Sequence, residues 1–260
     1  MSTRLVWVLF YLACMTAAAQ AEQLVIAGSP GLKPPLEALA QAFEAAHPGV
    51  SVRLYLDDGI GLRQTIASAE NSMSGQYFFG ASPVHVVAPG GDELITRLEQ
   101  KHYVLPGTRT AYAVEQLVLV VPAQLVEAPA SFEELGGTVT RLAVADPDRT
   151  VLGQQTGLLL RALDLRVRLD VATDAGGVLD HLLNGQAEAG ILFGHDAVRE
   201  QDRVRIVARA EGGHSPTVHS MAMERNCPNR KLCAEFLAFV QSAGAQRIIR
   251  SLGYAVPAPQ

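Results

Sequence analysis

The chain has 260 residues, of which 48% are hydrophobic and 18% are charged, and its formal net charge at pH 7 is −5. This balance excludes a generic binder of nucleic acid or of anionic membranes, since either surface requires a basic protein face. One tryptophan and 6% aromatic residues also argue against a stacking platform for bases or sugars. A small anionic ligand remains compatible, because local dipoles rather than net charge govern a small site.

The first residues have the pattern of a secretory signal peptide. Arg4 supplies a positive start, residues 5–13 an apolar stretch, and residues 19–21 the small-x-small pattern of a cleavage site. We therefore predict a signal peptide over residues 1–21, cleaved after Ala21, and a periplasmic or secreted mature protein. Lipid attachment at Cys14 is an alternative, although the residues before it match a lipidation site poorly.

Short apolar runs then alternate with amphipathic segments, which predicts strands alternating with helices. The predicted strands cover residues 24–27, 50–56, 84–88, 116–122, 142–145, 169–172, 189–193, 204–207 and 217–223. The predicted helices cover residues 34–46, 62–71, 92–100, 132–135, 158–163, 178–184, 231–242 and 245–252. Strand–helix alternation is typical of parallel sheets flanked by helices, and so many short elements suit two α/β lobes better than one wide sheet.

Four of the connections between a strand and the following helix are small or acidic loops, at residues 28–31, 57–61, 146–153 and 174–177. Each loop would place free backbone N–H groups at a helix N-terminus, where the partial positive charge favours an anion. Together with the export signal, these loops predict a periplasmic receptor for a small anion.

Two cysteines, Cys227 and Cys233, remain after the predicted cleavage. In an oxidising compartment such a close pair can form a disulfide, or the two residues can remain buried thiols. A zinc site is not expected, because His219 is the only further candidate ligand near them in the sequence.

Several segments resemble the molybdate-binding periplasmic proteins that supply ABC transporters. The resembling segments are residues 24–27 with 36–43, the crossover strand 116–122, the Asp-Pro-acid loop 146–148, residues 190–198 and the closing stretch 234–253. The resemblance implies a type II periplasmic-binding-protein fold, in which parallel or mixed sheets flanked by helices form two lobes around a ligand cleft. It also implies that residues 22–112 plus 217–260 form lobe one, that residues 113–216 form lobe two, and that hinge opening releases the ligand.

The resemblance also implies a set of binding residues. That family holds a tetrahedral anion with two serine hydroxyls, a tyrosine hydroxyl and several backbone N–H groups. The matched positions here, with three neighbours that we add, are Ser29, Gly31, Asp58, Gly59, Leu152, Gly153, Ala175 and Phe193.

Backbone donors survive the replacements at these positions, but the hydroxyl donors do not. A hydrogen bond to a charged group contributes roughly 1.5–3 kcal/mol, so three losses would lower affinity by about three to six decades. The sequence therefore predicts weak molybdate binding or a different ligand, such as a larger organic anion or a ligand that carries a donor.

Several of these residues also have an ordinary structural interpretation. Asp58 can contact a ligand or cap the following helix, and Ser29 can replace a lost hydroxyl or form a turn before Pro30. Phe193 can line the cleft or pack at a strand end, and Leu152 would narrow the cleft or add apolar surface to it.

The seven histidines are scattered in the sequence, so we expect exposed or capping roles for them. His85, inside a predicted strand, is expected to be satisfied in the core. We expect the arginines at positions 199, 203 and 205 to form a solvated face, and the alternative is a docking surface for a membrane partner.

The sequence therefore predicts an exported substrate-binding protein of an ABC-type importer, with a molybdate- or tungstate-like oxyanion or a different small ligand in an altered site. Its expected partners are that ligand and an ABC permease in the inner membrane, with no nucleic acid, and the chain is expected to be a monomer. No enzyme activity, cofactor or metal is expected, since the common nucleophile, zinc and phosphate-loop motifs are absent from the sequence. The alternative is a periplasmic ligand sensor or adaptor that signals to a membrane protein.

Overall fold

The computed structural model of the chain describes residues 22–56, 78–79 and 82–257. The predicted signal peptide with Cys14, the loop with Asp58 and Gly59, and the helix predicted over residues 62–71 lie outside the described residues. No helix among the described residues is both long and apolar enough to cross a membrane.

Strands and helices alternate along most of the described chain. The strands are β1 (Glu22–Gly28), β2 (Val50–Leu56), β3 (Phe78–Phe79), β4 (Ser82–Pro83), β5 (Val86–Ala88), β6 (Thr110–Val114), β7 (Leu117–Pro122), β8 (Arg141–Ala145), β9 (Arg168–Ala172), β10 (Ala189–Phe193), β11 (Val204–Arg209) and β12 (Val218–Met223). The helices are α1 (Lys33–Ala46), α2 (Asp92–Gln100), α3 (Leu135–Thr138), α4 (Val151–Ala162), α5 (Ala175–Leu183), α6 (Gly194–Arg199), α7 (Arg230–Val240) and α8 (Ala243–Ser251). A short 3₁₀ helix, Pro30–Leu32, precedes α1.

The first sheet has the strand order β2–β1–β5–β12–β6. Strand β1 is parallel to β2 and β5, whereas β12 is antiparallel to β5 and β6. Helices α1, α7 and α8 pack on this sheet and on one another. Their apolar side chains form one core, in which Phe43 meets Phe236 edge-on with 5.1 Å between the ring centroids.

The second sheet has the strand order β11–β7–β10–β8–β9. Strand β8 is parallel to β9 and β10, and β7 is antiparallel to β10 and β11. Residues 117–121 of β7 are fully buried, as expected for a strand that is covered on both faces. Helices α4 and α5 pack on this sheet and share its core. The two mixed sheets flanked by helices confirm the predicted two-lobed α/β architecture.

Three of the described helices begin three or more residues away from the start that the sequence predicts. Helix α4 begins at Val151, well before residue 158, because the Thr150 hydroxyl caps it by accepting the N–H of Gly153 at 2.9 Å. Helix α5 begins at Ala175 rather than at residue 178, since Asp174 caps it in the same way. Helix α3 begins only at Leu135, because residues 132–134 form a turn before it.

The described chain passes between the two sheets at two connections. Glu115 and Gln116 join β6 to β7, and residues 210–217 join β11 to β12. The two connections are bonded to each other, since the N–H of Glu115 donates to the carbonyl of Thr217 at 2.9 Å. The lobe limits that we derived from the resemblance remain a prediction, and these two connections are where the chain crosses.

The segment after α8 also reaches the junction between the sheets. Val114 and Ala255 exchange backbone hydrogen bonds of 2.9 and 3.0 Å, which attaches this segment to β6. Gly253 has a φ of 89° and lies against Gly194 at the start of α6, so closely that a Cβ on either glycine would overlap the backbone of the other. Only glycines allow this approach.

Cys227 and Cys233 form a disulfide at the start of α7. Both residues are buried, at 5% and 0% exposure, against the first core. The bond therefore ties the chain that follows β12 to the helix that covers it.

We expect the double variant Cys227→Ala/Cys233→Ala to lose about 2 kcal/mol of unfolding free energy, since the closed loop is short and restricts the unfolded chain only modestly. Urea unfolding with and without dithiothreitol measures this loss. Reductant should lower the stability of the wild type and leave the double variant unchanged. A wild type whose stability does not respond to reductant would contradict the prediction.

We expect Gly153→Ala to destabilise the protein by about 1–3 kcal/mol, because a Cβ there would overlap the backbone of Ala145 and Asp146 and push α4 off the sheet. Gly157→Ala on the same helix is the matched control, since its Cβ would meet only the flexible end of Arg161 at 3.4 Å. The control should gain up to about 1 kcal/mol from helix propensity. Equal changes in melting temperature for Gly153→Ala and Gly157→Ala would contradict the described packing of α4 on the sheet.

Candidate functional site

Three of the four predicted anion-binding loops lie in the described part of the chain, and each follows a parallel strand. Residues 28–31 follow β1, residues 146–153 follow β8, and residues 174–177 follow β9. Strands β8 and β9 end side by side, with Ala145 opposite Ala172, so their loops lie at the same edge of the second sheet. This carboxyl edge is where α/β folds commonly bind ligands.

The first loop offers a hydroxyl and few backbone donors. The Ser29 side chain is half-buried and caps no helix, while its N–H donates to the carbonyl of Ala88 at 3.2 Å. Gly31 is exposed next to it. Prolines occupy the positions around this helix start, and a proline has no N–H to offer. An anion here would depend on the hydroxyl of Ser29 and the N–H of Gly31.

The second loop uses its side chains to complete its own helix. The Thr150 hydroxyl accepts the N–H of Gly153 at 2.9 Å and donates to the carbonyl of Asp146 at 2.9 Å. The Gly153 donor is therefore already satisfied. Leu152 is 4% exposed and belongs to the core of the second sheet, so its side chain packs inward. Its role beside a cleft remains a prediction.

The third loop is capped by a carboxylate. Asp174 accepts the N–H of Gly177 at 3.0 Å, and the side chain of Ala175 packs against the core of the second sheet. The negative charge of Asp174 at the start of α5 competes with an incoming anion for the same dipole. The N–H groups of Ala175 and Gly176 remain the candidate donors of this loop.

Phe193 ends β10 and contributes to a stack of rings at the junction of the lobes. Its ring lies 5.9 Å from that of His195 with 17° between the planes, and His195 stacks on Tyr254 at 5.0 Å and 6°. Phe193 is half-buried and packs against the second core. The position therefore presents an aromatic face without a hydroxyl.

Beside this stack, the carboxylate of Glu115 accepts hydrogen bonds from two histidines. Its Oε2 lies 2.9 Å from Nδ1 of His195, and its Oε1 lies 3.0 Å from Nε2 of His219. Burial opposes the ionisation of Glu115, yet the hydrogen bonds and charges of the two histidines lower its pKa to about 2. Burial also acts against the charged form of His195, but the carboxylate of Glu115 prevails and raises the pKa of His195.

Sequence reasoning missed this cluster. We expected exposed or capping roles for His195 and His219, and the structure instead places both, 24% and 9% exposed in their side chains, against Glu115. His85 is buried, as predicted, and its Nδ1 accepts the N–H of Val25 at 3.2 Å. Within the described residues, no group of three His, Cys, Asp or Glu side chains is arranged to hold a metal ion.

The arginines predicted to form a solvated face do lie at the surface, and each has a partner. Arg199 lies 2.8 Å from Asp196, and Arg203 lies 3.2 Å from Glu200. The third, Arg205, donates to a backbone carbonyl at 2.9 Å. These pairs leave the face without a strong excess of positive charge.

Comparison with known proteins agrees with the fold and identifies the family. The family described as bacterial extracellular solute-binding protein matches residues 24–255. A molybdate-binding protein of Mycobacterium tuberculosis is 22% identical over 240 residues, which cover 91% of this chain and 86% of that protein.

Two solved structures share the fold at low sequence identity. One, from Clostridium difficile, is assigned as the substrate-binding domain of a molybdenum ABC transporter, with a TM-score of 0.77, 20% identity, and coverage of 90% of this chain and 98% of that one. The other is the periplasmic molybdate-binding protein of Azotobacter vinelandii, with a TM-score of 0.58, 19% identity, and coverage of 90% and 100%. These relatives are solute-binding proteins rather than enzymes, and this chain belongs to the family of bacterial extracellular solute-binding proteins.

Proposed function

We propose that this protein is exported and serves as the substrate-binding component of an ABC-type importer, capturing a small anionic ligand between its lobes as a monomer and delivering it to an inner-membrane permease. The observation that carries the proposal is the pair of mixed sheets joined at Glu115–Gln116 and at residues 210–217, with helix-start loops at the ends of their parallel strands. Two lobes on narrow connections can close on a ligand by a hinge motion. The signal pattern in residues 1–21 supports export.

We further propose that the ligand is an organic anion rather than a bare tetrahedral oxyanion. The N–H of Gly153 is occupied by Thr150, and Asp174 brings a negative charge to the start of α5. The hydroxyl of Ser29 is the hydroxyl donor that remains in the described loops, and Phe193 offers an apolar face instead of a hydroxyl. An anionic group could lie on the remaining backbone donors while an apolar part packs on Phe193. Asp58 and Gly59, in the loop at residues 57–61, remain proposed ligand contacts.

A thermal-shift panel on residues 22–260 tests this proposal. The panel compares carboxylates with molybdate, tungstate, sulfate, phosphate and small amines at equal concentrations. A ligand at a hundred times its dissociation constant should add about 2.7 kcal/mol to the free energy of unfolding. We expect a carboxylate to raise the melting temperature and molybdate to have little effect. A shift with molybdate or tungstate alone would contradict the proposed ligand class, and no shift in the panel would contradict an anionic ligand.

The variant Phe193→Tyr tests the position of the site. Its new hydroxyl should raise molybdate affinity about ten- to a hundredfold, because one hydrogen bond to a charged group is regained. Phe239→Tyr is the matched control, since Phe239 is also half-buried but lies on α7 against Phe43, away from the loops. Isothermal titration with molybdate measures both variants. Equal affinities for the two variants would remove Phe193 from the site.

A further inference from the structure

The cluster around Glu115 joins elements from both lobes. Glu115 lies on the connection between β6 and β7, His219 belongs to β12 of the first sheet, and His195 belongs to α6, which follows β10 of the second sheet. We propose that Glu115 is a positioning residue that clasps the two lobes together and so controls how readily the ligand cleft opens. The link to a ligand rests on the proposed function, whereas the clasp itself can be tested without any ligand.

The clasp continues to the first candidate binding loop through His219. Nδ1 of His219 accepts the N–H of Gly91 at 3.0 Å, so His219 donates to Glu115 from Nε2. Gly90, which precedes Gly91, lies near Ser29, since a Cβ added to Gly90 would meet the Cβ of Ser29 at 3.5 Å. His219 is therefore bonded to a turn that lies beside the first loop.

Close packing around the clasp leaves little freedom for His195. The preceding residue, Gly194, lies against the backbone of Gly253. The ring of His195 is stacked on the ring of Tyr254. Gly253 and Tyr254 belong to the segment that is bonded to β6. The position of α6 relative to the first sheet is therefore fixed by one carboxylate, one ring stack and one glycine contact.

The charged surroundings determine how the clasp depends on pH. Glu115 is faced by His219 from β12, by His195 from α6, by Tyr112 from β6, and by Tyr254 from the C-terminal segment. Asp196 and Arg199 of α6 act in turn on His195 and Tyr254.

The lowered pKa of Glu115 means that its stabilising contribution is present above its ordinary pKa of 4.5 and is lost as the pH falls towards about 2. The raised pKa of His195 means the reverse, because its contribution is complete below 6.5 and is lost as the pH rises through the raised pKa. The clasp should therefore be strongest between about pH 4.5 and 6.5.

Spin-label distances across the junction test the clasp. Ala45→Cys on α1 and Arg161→Cys on α4 place labels at exposed helical positions of the two lobes, and the native cysteines are held in their disulfide. Without ligand, Glu115→Gln should add a longer separation and shift the closed-to-open ratio about tenfold, since a charge-assisted hydrogen bond is lost. The unsubstituted pair should open more at about pH 8.5 than at about pH 5.5, and Glu115→Gln should abolish this difference.

Two further variants separate a clasp from a general loss of stability. His195→Asn removes the charge and the stacked ring but leaves Glu115 bonded to His219, and it should also lengthen the separation. Asp170→Asn is the matched control, because it disrupts another carboxylate–histidine pair, with His181 at 3.0 Å, inside the second lobe. The control should leave the distances unchanged.

Distances that are the same in Glu115→Gln, His195→Asn and the unsubstituted pair would overturn the clasp, as would equal lengthening in Asp170→Asn. These distances are measured without ligand, whereas the ligand panel responds only to binding. A failure of the clasp is therefore distinguishable from a failure of the proposed function.

Discussion

The junction between the two lobes depends on one carboxylate that is largely withdrawn from water. Burying a charge costs several kcal/mol unless donors replace its lost hydration. Glu115, 11% exposed in its side chain, receives those donors from His195 on one side and from His219 on the other. The backbone has a similar requirement, since the N–H of Gly194 donates to the carbonyl of Gln116 at 2.8 Å. A shifted lobe would leave buried polar groups unpaired, and this makes the arrangement of the junction specific.

At the candidate site, the needs of the fold and those of a ligand compete for the same groups. The first N–H groups of a helix must be satisfied by a side chain, by water or by a ligand. Thr150 and Asp174 satisfy some of them in α4 and α5, and such caps each contribute about 1 kcal/mol to stability. Each group satisfied in this way is one donor fewer for an anion. The described helix starts therefore favour stability without ligand over tight binding of a bare oxyanion.

The sequence predicted the features that local physics decides. The apolar run predicted a strand over residues 116–122, and β7 covers Leu117–Pro122. The amphipathic pattern of residues 92–100 predicted α2 with its observed bounds. The predicted start of α4 was wrong, because Thr150, in a loop that we assigned to ligand binding, caps this helix. The burial of Leu152 depends on how the helix packs on the sheet, which the sequence pattern does not give. The Glu115 cluster left no local signal, since its histidines lie 80 and 104 residues from the carboxylate. Only the fold brings such residues together.

Phe193 and His195 connect recognition with the junction, because a single residue, Gly194, separates the candidate ligand wall from the proposed clasp. A ligand that packs on Phe193 would press on a ring stacked with His195, and the proposed site and the proposed clasp would then be linked mechanically. A ligand can favour closure only by as much as its affinity differs between the open and closed forms. A clasp that already holds the lobes together reduces the part of the binding free energy spent on closure. A preformed junction would therefore offset some of the affinity lost with the missing hydroxyls. The affinity for the ligand would then depend on the balance between the free energy saved on closure and the free energy lost with those donors.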